Sequence, residues 1–290
     1  MKVLVASVYS EVIKSSKNFN DKWLKLQINF LDRHTKDYEL CLYLNNVVNK
    51  DIFKDNKIIG ETHEQFKIPN EIPKAHRFAL RKVVQYFRDH QDEYDCFCIL
   101  DSDCFPICDN WVEHLFNLVT KRNLKFSAVV RYENSELFPH PSAMFVPKKH
   151  ILDRSILNFP DKFGNNSKNI LEGGIYMDTG SDNSFWDGEQ IGYPLIRTNC
   201  VNLHPVNAGI YGDIFYHHGF GSRFTSNESN EEEYSWQTTR YWKRHHAYFC
   251  KNNNLLFNLL FHNPVDFIEC LRGKNMLDKL LKEIKQVKLI

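Results

Sequence analysis

The chain predicts an α/β fold: a mixed, mainly parallel sheet flanked by helices, with a C-terminal helical extension. Two observations carry that prediction. Strand-like and helix-like segments alternate along residues 1–100, the signature of helices layered on a parallel sheet. From Tyr234 to Ile290 the pattern turns helical, with Lys and Arg interleaved among Leu, Ile and Phe.

The elements follow in order. Lys2–Tyr9 is a first strand, too short for a secretion signal. Asp21–Asp32 carries Trp23, Leu24, Leu26, Ile28, Phe30 and Leu31 at helical spacing. Tyr38–Leu44 is a second strand ending in Asn45-Asn46, and a polar stretch leads to Ile58-Ile59-Gly60 and a loop with Pro69 and Pro73. Lys74–His90 is a helix with Phe78, Leu80, Val83, Val84 and Phe87, and it delivers the chain into the apolar strand Cys96–Leu100.

Beyond that strand, Trp111–Thr120 predicts a helix, Phe126–Val130 a strand, and Ser142–Val146 a strand closed by Pro147. A helix is expected near Lys149–Leu157 and a loop at Asp161–Ser167. Glu172–Gly180 opens a further helix running to Ile191, stopped by Gly192-Tyr193-Pro194, and Leu195–Leu203 follows as a strand. Ile214–Arg223 is a strand running into a Gly-rich turn, and Asn227–Glu233 is an acidic loop. The organisation is thus a catalytic-type domain over residues 1–225, with halves at about 1–110 and 111–225, and an extension over 226–290.

Composition narrows the class. A chain of 290 residues with 42% hydrophobic and 14% aromatic content can bury a substantial core. A net charge of +1 gives no long-range pull toward nucleic acid or an anionic membrane. No run of about 18 apolar residues occurs, so no transmembrane helix is expected, and with no signal peptide the expected location is cytoplasmic. In that setting the eight cysteines read as buried free thiols. Cys96, Cys98, Cys104 and Cys108 lack the paired C-x2-C form of a zinc knot.

The chemistry concentrates at Asp101-Ser102-Asp103, directly after the apolar strand. Strand side chains two apart point the same way, so both carboxylates can address one hard divalent cation. An Asp-x-Asp turn also arises from carboxylates satisfying local backbone donors. The four apolar residues before it and Pro106 after it favour the metal.

The stretch Cys96–Pro106 resembles the Asp-x-Asp site of nucleotide-sugar-dependent glycosyltransferases of the GT-A fold. The resemblance implies a Rossmann-like mixed sheet and Mn²⁺ or Mg²⁺ held by Asp101 and Asp103 on a nucleoside-diphosphate sugar donor. A fixed cation there stabilises charge on the departing diphosphate, and the resemblance implies Ser102 as a donor contact. Met177-Asp178-Thr179-Gly180, with Gly192-Tyr193 downstream, resembles the acidic residue opening the acceptor-side helix of inverting members. It implies Asp178 as the base that deprotonates a carbohydrate or glycan hydroxyl, with Glu189 as the alternative. An ordinary N-cap Asp would look the same, and Met177 stands where many inverting members carry a second acidic residue, which leaves the stereochemistry open.

Tyr216-His217-His218-Gly219-Phe220-Gly221 resembles the segment whose histidine completes the cation's shell. Adjacent strand residues face opposite ways, so one imidazole serves; His218, next to the glycines, is the first choice and His217 the alternative. Ser7, Asn45 and Asn46 fall at strand ends, where open α/β sheets bind ligands. Arg77 and Arg81 lie on the helix before the acidic turn, placed either to meet phosphates or simply to be solvated, and His140-Pro141 with the following strand is either a plain turn or, by the resemblance, the segment that lines donor or acceptor.

Three other readings compete. A sugar-phosphate nucleotidyltransferase needs a Gly-rich loop after the first strand, and Ser7–Asn20 has no glycine. A haloacid-dehalogenase-type phosphatase carries Thr or Val two residues after its second Asp, where this chain has Phe105. A catalytically silent nucleotide-sugar or carbohydrate-binding relative would lack ligands that this chain retains. In the extension, Arg240, Lys243, Arg244, His245 and His246 sit among Tyr241, Trp242 and Tyr248. That cluster suits a solvated helical cap, an acceptor platform, a peripheral membrane contact or a dimer contact. Oligomeric state is unassigned.

Overall fold

The computed structural model describes residues 1–10, 20–63, 72–132, 136–160, 170–171, 174–175, 179–199, 208–218 and 260–273. In chain order the elements begin with β1 (Val3–Ser10), α1 (Asn20–His34), β2 (Tyr38–Asn45), β3 (Lys57–Thr62) and α2 (Ile72–Asp89). They continue with β4 (Cys96–Asp101), β5 (Cys104–Pro106), α3 (Trp111–Lys121), β6 (Phe126–Arg131) and β7 (Glu136–Pro147). Short strands follow: β8 (Ile170–Leu171), β9 (Gly174–Ile175), β10 (Trp186–Asp187), β11 (Glu189–Gln190), β12 (Gly192–Leu195), β13 (Gly209–Tyr211) and β14 (Phe215–His217), and α4 spans Pro264–Arg272.

Seven strands form the central sheet in the order β12-β6-β7-β4-β1-β2-β3. All pairings are parallel except those of β7, which runs antiparallel to both β4 and β6. This is the mixed, mainly parallel α/β sheet that the alternating segments predict. Strand alternation explains how it is covered. Leu4, Ala6 and Val8 of β1 join the core under α2, whose Ala79, Leu80, Val83, Val84 and Phe87 form one helical stripe. Val3 and Val5 face the opposite core, with Trp111 and Leu115 of α3. Tyr9 joins a third core, with Trp23 and Phe30 of α1 and Phe267 and Leu271 of α4. Phe78 falls off the stripe, 38% exposed, with Arg81 and Lys82 over its ring.

Several expected elements take another form. Lys148–His150 is a single 3₁₀ turn, not the start of a helix. The Asp153 carboxylate accepts from the Ser155 amide and hydroxyl, and Leu157 has φ +52°, both of which suit a turn. Among the described residues, 179–191 do not form the helix expected up to Ile191: residues 179–182 form a turn, and β10 and β11 make a hairpin closed by Asp187-Gly188 with Gly188 at φ +73°. An Asp-Gly pair is a hairpin signal. Gly192-Tyr193-Pro194 opens β12 rather than stopping a helix, and Pro194 is tolerated because β12 is the sheet's edge. The strand expected over Leu195–Leu203 reduces to the end of β12 and an isolated Arg197–Tyr211 bridge, with Cys200–Leu203 outside the described residues. The strand expected from Ile214 is β14 alone among the described residues. Residues 226–259 and 274–290 of the extension lie outside them, and α4 is helical as expected.

The expected free thiols are present at Cys41, Cys96, Cys98, Cys104 and Cys108, the first four buried. Among the described residues no helix is long and apolar enough to cross a membrane.

Candidate metal centre

The acidic turn sits where one sheet hands the chain to another. β4 ends at Asp101, and β5 leaves the central sheet to pair antiparallel with β14 in the small sheet β13-β14-β5. That register sets His217 opposite Cys104, and the His218 amide donates to the Asp103 carbonyl at 3.0 Å. From the other side, Gln27 of α1 donates to the carbonyls of Asp101 at 3.0 Å and Cys104 at 2.8 Å. Its own carbonyl accepts from the Tyr9 hydroxyl at 3.0 Å. The turn's backbone is therefore held between a helix and a strand.

The side chains converge. His217 Nε2 lies 3.5 Å from Asp101 Oδ2 and 3.5 Å from Asp103 Oδ1, and the ligand atoms of the three residues all fall within 4.8 Å of one another. On the α2 side, His76 Nε2 lies 3.5 Å from the other Asp101 oxygen, and the His140 ring of β7 is 6.0 Å from that of His217. Burial alone would raise the Asp101 pKa; the hydrogen bond with His217 and the imidazoles of His76 and His140 outweigh it and hold it below the usual carboxylate range. Asp103 is likewise held low: burial opposes, and His217 prevails. His217 moves the other way, to about 9, because the two carboxylates overcome the effect of its burial.

The donor set fits a divalent cation. Opposite ligands of one ion lie roughly 4–5 Å apart, twice the usual bond length, and these three atoms fall within that span. Two carboxylates supply hard oxygen and one imidazole a softer nitrogen, a combination suited to Mn²⁺.

The structure brings the alternative histidine, His217, and not the first choice, His218, beside the acidic pair. His218, first choice from the sequence, faces away: its ring packs 5.1 Å from Trp23, and its Nδ1 shares a hydrogen bond of 2.7 Å with the Tyr216 hydroxyl. Burial drives its pKa down to about 3, so it is a neutral core residue. The alternative, His217, is the imidazole at the acidic pair. Alternation along β14 enforces the choice.

The remaining site expectations separate. Ser7 lies inside β1 rather than at its end, fully buried, and its hydroxyl donates to the Leu100 carbonyl at 2.9 Å; it holds β1 to β4. Asn45 ends β2 at the sheet edge that carries the acidic turn, buried, its amide directed at the Ser10 hydroxyl. Asn46 follows with φ +54°. Arg81 is turned to the Phe159 carbonyl and the Phe78 ring. Ser102 is buried in the turn. Glu189 is exposed on the hairpin entering the amino end of β12, hence at the end of the sheet opposite Asp101. Asp178 lies outside the described residues.

Sequence reasoning passed over Gln27, Tyr9 and His76. Gln27 did carry a signal, as a polar residue within the apolar face of α1, and buried polar residues need a reason. Replacing Gln27 with Leu is expected to cost about 1–3 kcal/mol, because it strands buried acceptors. Thermal unfolding reads that loss, and an unchanged melting temperature would remove Gln27 from the clamp.

No family model and no curated protein matches the chain. Among solved structures it is similar to the mannosyltransferase PcManGT from Pyrobaculum calidifontis, solved with GDP-Man and Mn²⁺, at 8% identity and TM-score 0.35 over 51% of this chain and 44% of that one. It is also similar to CMP:2-keto-3-deoxy-manno-octonic acid synthetase complexed with CTP, at 11% identity and TM-score 0.35 over 53% of this chain and 78% of that one. A cytidylyltransferase from Leptospira borgpetersenii serovar Hardjo-bovis matches at 9% identity and TM-score 0.33 over 51% and 61%. The chain thus spans less than half of the mannosyltransferase. These likenesses carry no chemistry.

Proposed function

We propose that the chain is a metal-dependent glycosyltransferase that moves a sugar from a nucleoside-diphosphate donor to an acceptor hydroxyl. The observation that carries this reading is the Asp101–Asp103–His217 constellation at the carboxyl end of a parallel strand, the sheet edge at which open α/β folds bind ligands. Asp101, Asp103 and His217 would hold Mn²⁺ or Mg²⁺, which supplies charge neutralisation to a diphosphate leaving group when bound. Gln27 and the His218 amide fix the turn that bears the carboxylates, and His76 engages the outer oxygen of Asp101.

Asp178 is the base in this proposal. Its support is the resemblance of Met177-Asp178-Thr179-Gly180 to the acidic residue that serves as base in inverting members. Asp178→Asn is expected to lower turnover by at least ~10²-fold while donor binding persists; lost donor binding would make Asp178 a donor contact instead.

A donor-hydrolysis and transfer screen over UDP-, GDP-, dTDP- and CMP-sugars with Mn²⁺ tests the reaction. Release of nucleoside diphosphate supports the proposal, whereas release of CMP from a CMP-sugar would remove its diphosphate leaving group. Release of pyrophosphate from a nucleoside triphosphate and a sugar phosphate would instead mark a nucleotidyltransferase and overturn it.

A further inference from the structure

The contact between α2 and the sheet ends in a polar pair. His76, Leu80, Val83 and Phe87 stand at i, i+4, i+7 and i+11 of α2, one face of the helix. The last three of them enter the core beneath α2, together with Phe97 and Ile99 of β4. Alternation along β4 puts Asp101 on the same face as Phe97 and Ile99. An imidazole and a carboxylate thus take over where Leu80 and Ile99 leave off.

His76 addresses the Asp101 oxygen that the constellation does not use. Its Nε2 lies 3.5 Å from Oδ1, whereas His217 Nε2 lies 3.5 Å from Oδ2. His76 stands outside the group of Asp101, Asp103 and His217, whose ligand atoms all fall within 4.8 Å of one another. It is the carboxylate's outer partner. The two imidazoles come from different elements, α2 and β14, so they hold the carboxylate from two sides. Turning Asp101 to offer both oxygens to one cation would take Oδ1 away from His76.

We propose that His76 is a positioning residue that sets the site's cation preference, by keeping Asp101 a ligand through one oxygen. Octahedral Mn²⁺ and Mg²⁺ are served by single carboxylate oxygens. Ca²⁺ takes a larger, looser shell in which a carboxylate often supplies both oxygens, the mode that His76 opposes. This inference rests on the metal reading proposed above and deepens it. The His76 side chain is 24% exposed, so exchanging it opens no sealed cavity.

The test compares the wild type with His76→Leu and His76→Gln. Each is titrated with Mn²⁺ and with Ca²⁺ by calorimetry, in the presence of UDP and of GDP, beside thermal unfolding. Gln keeps an N–H donor for the carboxylate, and Leu removes it. The wild type is expected to prefer Mn²⁺. In His76→Leu the Mn²⁺ affinity falls about 10- to 100-fold, the range for a lost outer partner. Ca²⁺ affinity holds or rises, so the preference narrows by a similar factor, while His76→Gln keeps the wild-type preference and melting temperatures stay alike. Equal losses for both cations would make His76 a nucleotide contact or a packing residue and overturn the inference. So would a wild-type preference in His76→Leu, a Gln variant that behaves as Leu does, or a wild type that prefers neither cation. If the wild type binds neither Mn²⁺ nor Ca²⁺, the metal reading falls and the inference with it.

Discussion

Asp103→Asn is expected to eliminate metal-dependent nucleotide binding while leaving a folded protein. Asn keeps the side chain's shape and one acceptor oxygen but loses the charge that a hard cation selects. Even partners outside a metal's immediate ligands cost 10–100-fold in affinity when removed, so losing a direct ligand is expected to cost at least about 100-fold for Mn²⁺ with UDP or GDP. Fold stability should change less. Removing the sole partner of a buried charge costs about 3–5 kcal/mol, but Asp101 remains 3.5 Å from His217 after the change. Like-charge repulsion between Asp101 and Asp103, which opposes the depressed Asp103 pKa, is also relieved. Calorimetric Mn²⁺–nucleotide titration and thermal unfolding report the two quantities separately. Wild-type nucleotide affinity in Asp103→Asn would remove the metal from the proposed mechanism.

How far the chain itself foretold this arrangement depends on the range of the interaction involved. The parallel sheet was legible because each strand's apolar pattern is local, and β1, β2, β4 and β6 fall within a residue or two of the predicted runs. So was the acidic pair, because two carboxylates after an apolar strand require no tertiary knowledge. The segment 179–191 failed because its apolar residues, Phe185 and Ile191, pack on the sheet from a hairpin and not at helical spacing. Asp187-Gly188 was the overlooked local signal. Gln27 and His76 were out of reach for a different reason: each serves a turn more than twenty residues away, and only the β5–β14 and α1 packing brings that turn to them. Choosing between His217 and His218 required the register of β14, which no single-chain pattern supplies.

That choice yields the sharpest contrast between neighbours in the molecule. His217→Ala removes a nitrogen from the constellation, and Mn²⁺–nucleotide affinity is expected to fall at least about 10–100-fold. His218→Ala leaves Asp101, Asp103 and His217 and the 3.0 Å amide bond to the Asp103 carbonyl in place. What it removes is a fully buried ring packed on Trp23 and hydrogen-bonded to Tyr216. Emptying a buried ring site costs about 3–5 kcal/mol by analogy with Phe→Ala, or roughly 6–20 °C in melting temperature for a protein of this size. His218→Phe refills the cavity and should recover part of that loss. The expected pattern is a binding defect at His217 and a stability defect at His218, measured as Mn²⁺–nucleotide affinity on folded protein and as melting temperature. If His218→Phe bound no metal while His217→Ala bound it normally, the imidazole at the centre would be the other one.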